Sequence, residues 1–96
     1  IVMGEARKPL DRGAYASFKG AVTWNGKDMT GGVGGNALGG ADLALTWLAN
    51  HLCDQGAMLK EGDIITTGVI TEFFSANLGD RIETNFEGLG KVTLSF

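Results

Sequence analysis

Apolar and polar positions alternate along the first half of the chain in a way that predicts a β-hairpin. Phe18, Val22 and Trp24 fall on one parity, and polar residues fall on the other, which is the period of a half-buried strand. Asn25-Gly26 follows, and both residue types tolerate the positive φ that a type I′ turn needs at its two central positions. Residues 27–33 are therefore expected to return antiparallel to the first strand.

The same alternation recurs near the end of the chain. In residues 81–86, Ile82, Thr84 and Phe86 alternate with charged or amide side chains, and residues 91–96 place apolar side chains at every second position. Gly88-Leu89-Gly90 between them predicts a second hairpin. Residues 64–70 differ because Ile, Val and Thr occupy both parities. That composition predicts a strand buried on both faces at the centre of the sheet.

Apolar positions at spacings of three and four predict a helix over residues 41–55. The stripe consists of Ala41, Ala44, Leu45, Leu48 and Leu52, with Trp47 at its edge. Gly56 is placed to end the helix as a C′ residue with positive φ. Residues 1–13 are a polar lead-in. Strands in two hairpins around one main helix predict an α+β fold, mostly β, with a mixed sheet or roll, in a single domain over residues 1–96.

Composition narrows the class of protein. With 44% hydrophobic and 20% charged residues, the chain has enough apolar side chains to form a folded core. Its length of 96 residues is too short for two separate cores. The net charge of -3 without a basic cluster argues against a nucleic-acid partner, and no apolar run approaches the roughly 20 residues that span a membrane. One cysteine forms no internal disulfide, and the chain starts without a secretory signal pattern, so we expect a cytoplasmic protein.

Glycine is the outlier, with 16 copies, six of them in residues 31–40 just before the predicted helix. This stretch matches neither a Walker loop nor a dinucleotide fingerprint. Its glycines instead permit close approach of backbone to a ligand or another chain, with helix amides near enough to bind a carboxylate. Thr66-Thr67-Gly68 at the end of the central strand has two interpretations. Its hydroxyls could hydrogen-bond a small ligand, or the glycine could mark a β-bulge in which the threonines have a structural role.

Titratable residues form no convincing catalytic or metal-binding set. His51 has no second His or Cys at ligand spacing, which favours a surface or structural role. Cys53 has no nearby cation to lower its pKa, so an inert, partly buried thiol is expected. Glu61 and Asp63 project to one side of an extended segment, but two carboxylates make a weak metal pattern.

An ordered set of motifs resembles a known family. The motifs are Trp24-Asn25-Gly26, Gly34 with Ala37-Leu38-Gly39, Trp47-Leu48-Ala49-Asn50 with Leu52, residues 59–65 with Thr67-Gly68, Gly79-Asp80, and residues 88–92 with Phe96. Together they look like the C-terminal part of the 2-keto-4-pentenoate hydratase and 2-oxo-3-hexenedioate decarboxylase group of the fumarylacetoacetate hydrolase superfamily, and the likeness covers nearly the whole chain.

The resemblance implies a pocket but not a complete active site. In that group Mg²⁺ or Mn²⁺ is held by a Glu-x-Glu pair and a further acidic residue, which precede the region that this chain resembles. No Glu-x-Glu occurs here, and Gly40-Ala41 stands where the group usually has Asn-Pro or His-Pro. No catalytic residue, metal ligand or cofactor is therefore expected of this chain alone. By resemblance, the residues that line the far wall of the substrate pocket are Leu38, Gly39, Thr67, Gly68 and Thr71.

Three functional hypotheses follow. The first is a truncated hydratase-like protein that keeps part of a small 2-oxo acid pocket and does not catalyse by itself. The second is a lyase subunit that works only when a partner chain supplies the metal carboxylates, and the third is a self-associating module without enzymatic activity. A homodimer is expected in particular, with Phe73, Phe74 or the Trp24 hairpin at its two-fold axis, because strand edges and apolar surface that a longer relative covers would be open here.

Overall fold

The computed structural model describes all residues 1–96, and its core is a four-stranded antiparallel sheet. The elements are α1 (Ala14–Ser17), β1 (Lys19–Trp24), β2 (Lys27–Val33), a 3₁₀ turn (Gly34–Asn36), α2 (Ala41–Asp54), β3 (Arg81–Phe86) and β4 (Gly90–Ser95). The strand order is β2-β1-β3-β4. The α+β class with one main helix is confirmed. The expected mixed sheet is wrong, because the two hairpins join side by side through β1 and β3 and every neighbouring pair is antiparallel.

The first hairpin has the predicted turn. Asn25 and Gly26 have φ of 51° and 81°, as a type I′ turn requires at both central residues. The turn is tied to the start of β3, where the Asn25 side chain accepts a hydrogen bond from the Arg81 backbone N–H at 2.8 Å and donates one to the Asp80 carboxylate at 2.9 Å. These contacts hold the two hairpins in register.

The second hairpin is confirmed and makes the sheet amphipathic. Val22 on β1 and Ile82 on β3 are buried on one face. On the other face Lys91 pairs with Glu83 at 3.2 Å. Alternation along each strand therefore separates an apolar face from a polar one.

Residues 64–70 are not a strand, contrary to the prediction. Residues 64–76 take part in no backbone–backbone hydrogen bond, and Ile64 and Val69 are 62% and 49% exposed. The physical reason is that a β-branched run forms a strand only beside a partner, and this segment pairs with neither free edge of the sheet, β2 or β4. Residues 64–76, called the crossing segment below, instead pass over the apolar face of the sheet, where Phe74 contacts Trp24 at a ring-centroid distance of 6.4 Å.

Helix α2 spans nearly the predicted range and ends as expected, with Gly56 at φ 75°. Ala44 is its one buried residue, and Trp47 stacks on the exposed His51 ring at 5.0 Å. The surface position of His51 is confirmed. The partly buried thiol predicted at Cys53 is wrong because Cys53 lies half a turn round the helix from Ala44 and is exposed. No helix has the length and apolarity to cross a membrane.

Candidate functional site

A cavity of about 520 Å³ lies on the apolar face of the sheet, under the segment that crosses it. Ten of its fourteen lining residues are hydrophobic. Thr67, Gly68 and Thr71 line it from the crossing segment, and Val22 and Ile82 line it from the sheet. Three of the five residues that the resemblance assigns to a pocket wall are thus brought together in one cavity.

Glycines allow the crossing segment to approach the sheet this closely. Gly32 on β2 faces the Ile70 carbonyl, and a Cβ at Gly32 would overlap that oxygen. The same carbonyl accepts a hydrogen bond from the Asn36 side-chain amide at 3.0 Å. Gly68 has φ 128°, and a Cβ there would lie 3.3 Å from the Ala37 Cβ. Close backbone approach, which the glycine-rich stretch predicted, therefore occurs between two segments of this chain.

Leu38 and Gly39 do not line this cavity. Leu38 has φ 56°, is 74% exposed, and lines a separate groove of about 480 Å³ with Leu43, Ala44 and Trp47. Gly39 lines neither space and has φ 86°. The left-handed backbone of these two residues directs the chain away from the cavity, although the preceding Ala37 still contacts Gly68.

Several residues that line the cavity have no signal in the sequence that marks them as pocket residues. Tyr15 belongs to α1, a single helical turn without a sequence signal, and its hydroxyl accepts a hydrogen bond from the Leu10 backbone N–H at 3.1 Å. Phe18 contacts Phe86 edge to face at 6.4 Å. Alternation identified Phe18 and Phe86 as core residues, but only the path of the crossing segment shows that they border a cavity rather than a filled core.

No charged side chain lines the cavity, and the charged side chains that line the groove beside it are both negative. None of the lining residues is a carboxylate, lysine, arginine or histidine. An adjoining groove shares Tyr15, Ala41 and Thr67 with the cavity and adds the carboxylates of Asp42 and Asp63. The polar groups available to a ligand in the cavity therefore include threonine hydroxyls, the Tyr15 hydroxyl, backbone groups of residues 67–71 and the first-turn amides of α2 near Ala41.

The donor set does not fit the metal site of the resembled family. No three His, Cys, Asp or Glu side chains lie close enough together to hold a metal ion. Glu61 and Asp63 flank Gly62 in a turn, where the Asp63 carboxylate accepts a hydrogen bond from the Lys60 backbone N–H at 2.8 Å. That contact gives Asp63 a structural role in the turn.

A carboxylate with a perturbed pKa lies at the end of the sheet. The Asn77 backbone N–H, at 2.8 Å, and the Asn25 side-chain amide donate hydrogen bonds to Asp80, and they hold its pKa below the usual value of 3.8. The nearby Trp24 indole N–H lowers this pKa further, although it makes no hydrogen bond of good geometry. Asp80 joins the two hairpins and does not line the cavity.

Comparisons with known proteins agree with the resemblance, although no family model matches the chain. The chain is 33% identical over 72 residues to 2-hydroxyhexa-2,4-dienoate hydratase of Comamonas testosteroni, covering 75% of this chain and 27% of that protein. It is 32% identical over 75 residues to 2-keto-4-pentenoate hydratase of Paraburkholderia phymatum, covering 78% and 29%.

A solved structure gives the same result for the fold. The 4-oxalocrotonate decarboxylase of Pseudomonas putida G7, complexed with magnesium and adipate, superposes with a TM-score of 0.78 at 30% identity over 86% of this chain and 32% of that one. The chain spans less than a third of the length of each of these relatives. These likenesses show that the chain belongs to the hydratase and decarboxylase group of the fumarylacetoacetate hydrolase superfamily.

Proposed function

We propose that this chain forms part of a 2-oxo acid pocket and does not turn over substrate by itself. The observation that carries the proposal is the cavity beside Thr67, Gly68 and Thr71, which lies in a hydratase-like chain and has no carboxylate in its lining. A relative of this fold is complexed with magnesium and a dicarboxylic acid. With no comparable donor set here, the metal would have to be held by another segment or chain.

The cavity supports binding of the acid by hydrogen bonds alone. The Thr67 and Thr71 hydroxyls and the free amides at the start of α2 near Ala41 are donors that a carboxylate accepts. These neutral donors offset only part of the free energy needed to remove the ligand's charge from water. We therefore expect weak binding without a metal, and we assign the Lewis-acid step to no residue of this chain.

Turnover by the isolated 96-residue chain tests this proposal. The substrate is 2-hydroxyhexa-2,4-dienoate, whose conjugated absorbance disappears on hydration, supplied with Mg²⁺ or Mn²⁺. The full-length hydratase of Comamonas testosteroni is the positive control. We expect the chain to match the uncatalysed rate under every metal condition. Metal-dependent turnover that scales with the concentration of the chain would contradict the proposal.

We further propose that the chain associates as a homodimer, because it exposes more surface than a folded monomer of its mass. Its accessible area is 7201 Å², whereas a compact 10.1 kDa protein exposes about 5,300 Å². The excess of about 1,900 Å² exceeds the roughly 800 Å² that each partner buries in a standard interface. The crossing segment is the surface that we expect the second copy to cover, because Phe73 is 88% exposed and the segment makes no backbone–backbone hydrogen bond.

Light scattering during size-exclusion chromatography tests the dimer. At micromolar concentration we expect twice the 10.1 kDa mass for the wild type, and a shift toward monomer for Phe73→Ser. Leu78→Ser, which removes a side chain that is 96% exposed outside this segment, is the matched control and should remain dimeric. A wild-type mass of one chain would rule out the dimer.

A further inference from the structure

The crossing segment is bounded by two turns of the same geometry, residues 60–63 and 77–80. In each turn, the Asp carboxylate accepts a hydrogen bond at 2.8 Å from the backbone N–H three residues before it. The Asp N–H donates to the carbonyl of that same residue at 3.1 Å, and the glycine before each Asp has φ 90°. Each end of the segment is therefore fixed by hydrogen bonds that do not involve residues 64–76.

Between these turns the crossing segment has few attachments. It makes no backbone–backbone hydrogen bond, and the one side-chain hydrogen bond to it is donated by Asn36 to the Ile70 carbonyl at 3.0 Å. Phe74 packs against Trp24, whereas Phe73 is exposed. Segments with few hydrogen bonds and few buried apolar contacts open at a lower free energy than the sheet or helix beside them.

The crossing segment nevertheless shields the floor of the cavity. Val22 and Ile82 line the cavity from the sheet but are only 5% and 7% exposed. The Ile70 side chain lies over β1, where its Cδ1 would be 2.6 Å from a Cβ at Gly20. Solvent or a ligand therefore reaches these two floor residues only when the segment moves away from the sheet.

We propose that the crossing segment is a lid that opens as one unit about its two flanking turns, with the hydrogen bond from Asn36 to Ile70 as its latch. The sheet stays intact when the lid opens, because its strands are paired with one another and not with the segment. Gly62 and Gly79 lie where hinges of such lids are found, at the ends of the moving segment. That the lid admits an acid rests on the proposed function, whereas the opening itself does not.

Labelling of a thiol on the cavity floor measures the opening. Val22→Cys places this thiol beneath the lid. All variants also carry Cys53→Ser, which removes the exposed natural thiol, and Phe73→Ser, which disfavours a second copy that would hold the lid closed. We expect a maleimide to react at least about tenfold faster than the measured global unfolding of the same variant allows. The rate should change little in low urea, because lid opening exposes little surface.

Removal of the latch should accelerate this reaction. Asn36→Ala removes the hydrogen bond to Ile70, and we expect the labelling of Val22→Cys to become about fivefold faster. Ala44→Cys is the matched control, because Ala44 is 8% exposed on α2 and does not line the cavity, so labelling there should not respond to Asn36→Ala. Ile82→Cys on the same floor should respond as Val22→Cys does, and it serves in its place if that variant fails to fold.

Three results would overturn the lid. One is labelling of the cavity floor no faster than global unfolding allows. Another is fast labelling that Asn36→Ala leaves unchanged, because the reagent would then reach the floor without release of the latch. The third is an equal acceleration in Val22→Cys and Ala44→Cys, because Asn36 would then stabilise the whole fold. No acid is present in this assay, so a failure of pyruvate to bind would refute the proposed function and leave the lid in place.

Discussion

Gly32→Ala should detach the crossing segment from the sheet. A Cβ at Gly32 would overlap the Ile70 carbonyl oxygen, which is backbone and cannot rotate aside. The segment must therefore move away, and its hydrogen bond from Asn36 is lost as it moves. Overpacking of this kind costs about 1–3 kcal/mol, and the lost hydrogen bond adds about 1 kcal/mol. The expected loss in the free energy of unfolding is about 2–4 kcal/mol.

Urea denaturation followed by tryptophan fluorescence measures this loss, and thermal unfolding should show a Tm lower by at least about 8 °C. Gly13→Ala is the matched control, because no atom lies within 4 Å of its Cβ position and its φ of -67° suits alanine. That variant should be unchanged or stabilised by a few tenths of a kcal/mol. Equal urea midpoints for Gly32→Ala and wild type would refute the close approach that forms one wall of the cavity.

Two further predictions concern other parts of the fold. Gly35→Val and Gly39→Val should each lower the free energy of unfolding by more than about 1 kcal/mol in urea titrations. A Cβ at Gly35 would lie 3.0 Å from the Ala16 carbonyl oxygen, and Gly39 has φ 86°. Unchanged urea midpoints for both variants would contradict this prediction. Because the pKa of Asp80 is lowered in the folded state, its contribution to stability is present above the ordinary value of 3.8 and is lost as the pH falls through the folded value. The stability difference between wild type and Asp80→Asn should therefore be largest near neutral pH and become smaller as the pH falls below 3.8, and a difference that is independent of pH would argue against this role.

Local chemistry was sufficient to predict the hairpins and the helix. Asn25-Gly26 specifies its own turn because both residues accept positive φ, and the apolar spacing of residues 41–55 defines α2 without reference to the rest of the chain. The error at residues 64–70 arose because strand formation depends on a partner elsewhere in the chain. A β-branched run indicates that a segment favours extended backbone. It does not indicate whether the folded chain places the edge of a sheet beside that segment.

The candidate site was predicted only in part, for a similar reason. Thr67, Gly68 and Thr71 lie on one continuous segment, and all three line the cavity. A motif that identifies one of them as a pocket residue therefore also locates the other two. Leu38 belongs to the same set by resemblance, but a positive φ at a leucine has no sequence signal and places its side chain in another groove. Tyr15 enters the cavity through tertiary contacts that no local pattern encodes.

Pyruvate binding with and without Mg²⁺ tests most directly whether this chain holds an acid pocket that lacks its metal. The isolated chain is titrated with pyruvate by calorimetry and by amide shifts at Thr67, Gly68 and Thr71. We expect saturable binding with a Kd of about 1 mM or weaker that does not change when Mg²⁺ is added. Micromolar binding that requires Mg²⁺ would contradict it, because the chain would then hold the metal itself.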